Sequence, residues 1–212
     1  MASVGIVTTT LPRPAPSETP SPTRGLRPWY ALMLAGGALG LFTAGWQTVE
    51  RIAWAADPNA TSVCEINSVL SCSSVFSHWQ SSALGVPNSL IAIGVFGTVM
   101  SAGLAGVLGS RLSRGYVATV FGLTVFMTAF VVWYLEQSAL SIGVLCLFCV
   151  GCAVNIVVAG IGVTRVASRT GSLGGGGFGR GVAAMVGSGA DLVAWVGLAA
   201  LLALMMWLGL AL

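Results

Sequence analysis

The chain has 212 residues, 56% of them hydrophobic and only 7% charged, against roughly 25% charged in a soluble domain. That composition excludes an ordinary soluble globular protein and indicates an integral membrane one. The net charge of +3 comes from arginine alone; these residues are scattered beside apolar runs, so nucleic-acid binding is excluded and they report membrane orientation instead.

Residues 1–27 are rich in Pro, Ser and Thr and have little to bury, which predicts a disordered, solvated tail. No apolar core follows Met1 closely, so the tail does not read as a cleavable signal peptide. A spanning helix needs about 20 mostly apolar residues, and five segments qualify. They are Trp29 to Thr48, Val86 to Leu108, Gly115 to Leu135, a helix near Ala139 to Val163, and Leu192 to Leu212. The expected organisation is a catalytic region over 28–165 with a long loop at 49–85, a Gly-rich cytoplasmic linker at 166–190, and a fifth span at 191–212. Gly174 to Gly177 read as a flexible connector. No Lys-Ser/Thr signature accompanies them, so they do not read as a phosphate loop.

Placing the amino terminus in the cytoplasm puts Arg13, Arg24, Arg27, Arg111, Arg114, Arg165, Arg169 and Arg180 inside and leaves only Arg51 outside. This is the positive-inside pattern. The loop 49–85 then faces the extracytoplasmic side of the cell membrane. Within it, Val75, Phe76, Trp79 and Ala83 follow helical spacing. A short interfacial helix is expected there, with Cys72 at its start and Ser71 or Ser73 as cap.

Cysteines carry the chemistry. Cys64 and Cys72 lie in the outer loop; Cys146 and Cys149 form a Cys-x-x-Cys, expected about two turns into the fourth span from its outer end. Positions three apart share a helix face, within reach of a disulfide. Both pairs fall near an oxidising face, where disulfides persist. A thiol relay follows: a reduced soluble protein attacks at Cys64, Cys72 attacks Cys146, and Cys149 is released toward a lipid-borne two-electron acceptor such as a quinone. The alternative is a metal- or haem-binding bundle using Cys146, Cys149 and Cys152, although the leading expectation is no metal and Cys152 as a packing residue. His78 reads as an ordinary surface residue.

At these residues the chain resembles the bacterial branch of the vitamin K epoxide reductase family. The stretches that carry the resemblance are CEINSVLSCSSVF, GVPNSL from Gly85 to Leu90, and LCLFCVGCAVN from Leu145 to Asn155. The resemblance implies an all-α four-helix transmembrane bundle around a quinone, either menaquinone or ubiquinone, with a fifth helix outside it. It makes Cys64 and Cys72 the loop shuttle pair and Cys146 and Cys149 the active-site pair. Asn88 would hydrogen-bond the quinone head group, and Phe76 and Trp79 would roof the pocket. The implied partner is a separate extracytoplasmic thioredoxin-fold (DsbA-like) protein. The chain departs from many relatives at His78, where Ser or Thr is common, and at Cys152-Ala153, where a Tyr often stands.

Overall fold

The computed structural model describes residues 25–59, 62–67 and 69–211, with side chains as far as Gly209. The tail expected to be disordered lies almost wholly outside the described residues. Apart from one isolated parallel bridge between Leu70 and Leu145, the described residues form helices, turns and loops.

Helix α1 runs Arg27–Ala56, α3 Asn88–Val107, α4 Arg114–Glu136, α5 Leu147–Arg169 and α7 Ala190–Ala211; between them lie the shorter α2, Cys72–Phe76, and α6, Gly177–Ser188. Five helices are long and apolar enough to cross a membrane. Phe42, Leu108, Val154, Val193 and Trp207 are exposed on their outer surfaces, as lipid-facing side chains are. This is an all-helical multi-pass membrane protein.

α1 stands between α3 and α5, and α4 closes the four-helix bundle against α5 and, more lightly, α3. The close approach of α1 depends on missing side chains. A Cβ at Gly36 would lie 2.7 Å from Ala159 N on α5, and one at Gly37 would lie 2.6 Å from Met100 N on α3. Small residues of this kind let membrane helices pack backbone to backbone. α7 lies outside the bundle against α5.

Four elements differ from the sequence expectation. α1 continues about two turns past Thr48, carrying Glu50, Arg51 and Trp54 beyond the apolar span. No Gly or Pro lies between Thr48 and Asp57-Pro58, and Glu50 is satisfied by Trp46 Nε1 at 3.1 Å and Ser62 Oγ at 2.7 Å. The expected interfacial helix is two pieces, α2 and a 3₁₀ turn at Trp79–Ser82, with His78 extended between them (ψ 147°). The third difference concerns the fourth span. α4 runs on into a π-helical turn, Gln137–Ile142, that ends at Gly143 with φ 74°, and α5 starts only at Leu147. Cys146 is therefore the N-cap of α5, not a residue two turns inside a helix. The stretch 166–190 expected as linker holds the end of α5 and the whole of α6, whose Phe178 packs edge-on to Phe121 at 6.2 Å.

Candidate active site

A backbone clamp builds the site. Leu145 N donates to Val69 O at 2.7 Å and Ser71 N donates to Leu145 O at 3.1 Å. The loop is thus fastened to the extended segment that leads into α5. Cys72 follows this clamp on one strand and Cys146 on the other, and their sulfurs come to 3.0 Å.

The loop around Cys72 is self-organised. Asn67 Oδ1 accepts from Val69 N and Leu70 N at 2.9 and 2.8 Å, an Asx turn of the kind that reverses short loops. Ser71 caps α2, accepting from Ser74 N at 3.2 Å, as its sequence position suggested. Ser73 N donates to Glu65 Oε1 at 2.9 Å, which draws the Cys64 segment over the start of α2. Cys64 and Cys72 are joined in a disulfide with Cα atoms 5.5 Å apart.

All three sulfurs at this junction are sealed. Cys64, Cys72 and Cys146 have no solvent exposure, and their Sγ atoms lie within 4.8 Å of one another. This is the thiol cluster found among the described residues; it differs from the Cys146, Cys149 and Cys152 set of the alternative sequence reading, and two of its members are already bonded to each other. Cys149 lies one turn into α5, where Cys152 is also buried. As N-cap, Cys146 sits where the amide groups and dipole of α5 favour a thiolate.

Arg51, the sole cation expected on this side, straps α1 to α2 and the loop that carries it, which together form a lid over the site. Its Nη1 donates to Phe76 O, and its guanidinium lies 4.8 Å from the Trp54 ring and 5.4 Å from the Phe76 ring. Phe76 is buried; Trp79 is 68% exposed and leans on Trp133 at 6.3 Å. His78 is exposed, and its Nδ1 donates to Ser74 O at 2.8 Å.

Below the lid is a narrow cavity of about 30 Å³. Its wall is formed by Gln47, Asn88, Ala92, Met127, Phe130, Val131, Tyr134, Leu135, Cys149 and Cys152. Asn88 Nδ2 donates to Gln80 O at 2.7 Å, while its Oδ1 is buried with no partner among the described residues. A smaller polar cavity lies against it, with Gln47, Asn88 and Tyr134 in both walls and Arg51, Phe76, Ser81 and Ser89 in the second. The structure thus gathers Cys64, Cys72, Cys146, Cys149, Asn88 and Phe76, and leaves Trp79 at the surface. Sequence reasoning passed over Gln47 and Tyr134. A buried amide in an otherwise apolar span was the available signal for Gln47; an interfacial Tyr gave none.

Comparison with curated proteins finds no match. Comparison with protein families matches residues 31–164 to the Vitamin K epoxide reductase family. That match takes in well over half the chain, the four-helix bundle, the lid and both cysteine pairs. The chain belongs to the vitamin K epoxide reductase family and is a membrane thiol–disulfide oxidoreductase.

Proposed function

We propose that this protein reoxidises an extracytoplasmic thioredoxin-fold protein and delivers the electrons to a membrane quinone, so sustaining disulfide formation outside the cell. The observation that carries this reading is the 3.0 Å approach of Cys72 Sγ to Cys146 Sγ. It joins a dithiol of the lid to a dithiol whose deeper member lines an apolar cavity. Orientation is supported by the arginines: eight of the nine fall on the side opposite the lid in this arrangement.

Each exchange balances. The partner's thiolate attacks Cys64, the Cys64–Cys72 bond breaks, and Cys72 leaves as thiolate; the partner's second thiol then frees Cys64 and carries away the new disulfide. Cys72 attacks Cys146, forming a Cys72–Cys146 bond and expelling Cys149 as thiolate. Cys64 attacks Cys72, re-forming the loop disulfide and releasing Cys146. This last step would leave the loop pair joined and the helix pair free, as the two pairs stand in the structure. Because Cys64 is sealed, the partner gains access only when the lid segment that carries it lifts.

The cavity suits a quinone in chemistry: apolar walls for a ring, and at the edge the unpartnered Asn88 Oδ1 and the Tyr134 side chain for its oxygens. Its present volume is too small for a ring, so the wall must part to admit one. Cys146 and Cys149 would close to a disulfide, and a bound quinone would supply the acceptor for the two electrons and two protons that they give up. Asn88 and Tyr134 would hold the head group, and Phe76 would close the site from above.

The test is quinone reduction by purified protein supplied with a reduced thioredoxin-fold protein, each cysteine being replaced in turn. Cys72→Ala and Cys146→Ala should each abolish turnover, and Cys149→Ala should accumulate the Cys72–Cys146 bridge. Full turnover in Cys72→Ala would sink the reading.

A further inference from the structure

A carboxamide buried in a membrane helix carries a cost unless it finds a partner. Gln47 is 7% exposed on α1, and the partners it finds are both sulfurs of the helix pair. Its Nε2 lies 3.3 Å from Cys149 Sγ and 3.8 Å from Cys146 Sγ. A thiolate only accepts hydrogen bonds, and the amide NH₂ has two N–H groups to give. The same side chain stands in the wall common to the apolar and polar cavities, so it sits where the thiols meet the acceptor space.

We propose that Gln47 is a catalytic hydrogen-bond donor of the relay, holding the thiolate that Cys149 becomes when Cys72 attacks Cys146. This role rests on the relay proposed above. In that step the Cys72 electron pair forms the bond to Cys146, the Cys146–Cys149 bond breaks, and its pair leaves on Cys149; no proton moves. Charge appears on one atom, and a fixed donor already points at that atom from the shorter of its two contacts. A donor placed where charge develops stabilises the step without rearranging, and a better-stabilised thiolate leaves faster. The second N–H is available to Cys146 when Cys64 later releases it, alongside the start of α5. Without Gln47 the polar side chain left facing Cys149 is Tyr134, so exchange would slow with the helix disulfide intact.

The experiment uses full-length protein with Cys64→Ala. Its remaining disulfide is either Cys72–Cys146 or Cys146–Cys149. These are isomers of one oxidation state, so neither quinone nor partner enters their ratio, which acid quenching and peptide mapping read directly. Gln47→Met keeps the shape and loses the donor; it should lower the share of Cys72–Cys146 by about tenfold, as loss of a hydrogen bond to a charged group does. Gln47→Glu should lower it further at neutral pH and recover toward the parent on acidification, because the protonated carboxyl donates again. A purely structural role would not produce that recovery. If Gln47→Met fails to fold, the pH response of Gln47→Glu decides alone. Ratios equal to the parent's at every pH, in variants of unchanged thermal stability, would overturn the role of Gln47 while leaving the relay standing. Absence of both bridges with Gln47 in place would overturn the relay and this role together.

Discussion

Glu65 shows how single side chains control access to the buried disulfide. It neighbours Cys64 in sequence and accepts from Ser73 N across the loop. Partial burial pushes its carboxyl up, but hydrogen bonds from Ser73, Ser71 and the Cys72 N–H outweigh this and hold it below the usual carboxylate range. A depressed value means that the charged form fastens the lid. The fastening is complete above the ordinary carboxylate value and is lost as pH falls through the lowered one. Glu65→Gln should therefore raise the rate at which a small thiol reduces Cys64–Cys72 by about threefold at neutral pH, and the two proteins should converge in acid. Parallel pH profiles for both would show that Glu65 does not hold the lid. In the sequence Glu65 is no more than a charge beside Cys64. Its contact with Ser73 depends on the Asx turn at Asn67 folding the loop back, and no spacing rule predicts that.

Among the elements, the bundle helices were readable and their ends were not. A long apolar run defines a span but hides a break within it, so the fourth span was placed eight residues early. The signal that could have located the break is Gly143, which adopts φ 74° to end the π turn and lets Val144 and Leu145 run extended. That break puts Cys146 at the start of α5, beside the lid, in place of a position two turns inside the span. In α1 the glycines divide by what surrounds them. Gly37 faces the α3 backbone, whereas a Cβ on Gly45 meets nothing within 4 Å. Gly37→Ala should destabilise the bundle by about 1–3 kcal/mol through overpacking, seen as a lower unfolding midpoint in detergent. Gly45→Ala should be neutral or stabilising by up to about 1 kcal/mol, from helix propensity alone. Equal midpoints for the two variants would mean that α1 and α3 are not in backbone contact.

At the scale of the whole molecule, what needs explaining is why the fifth span stays attached. Lipid tails are as apolar as leucine, so burial alone does not drive membrane helices together, and only 6% of the most apolar window of α7 is buried. Attachment comes from polar and close-packed contacts at the end away from the lid. Arg165 Nε and Nη2 donate to Asp191 at 2.7 and 3.0 Å. The guanidinium lies 4.2 Å from the Trp29 ring of α1. Trp195 lies over Gly160 and donates to Thr164 Oγ1 at 3.3 Å. Sequence reading counted Arg165 with the interfacial arginines and gave Asp191 no role, because a charge pair between distant positions leaves no local pattern. With Asp191 1% exposed, removing one partner strands a buried charge. Asp191→Ala should cost about 3–5 kcal/mol, and Arg165→Leu with Asp191→Leu should recover most of it. Thermal unfolding of the two variants against the parent measures both effects. Since the sulfurs lie at the opposite end, the double variant should retain near-parental turnover at low temperature while Asp191→Ala inactivates early on warming. A double variant as unstable as Asp191→Ala would mean that the ion pair itself, and not relief of a stranded charge, holds α7 in place.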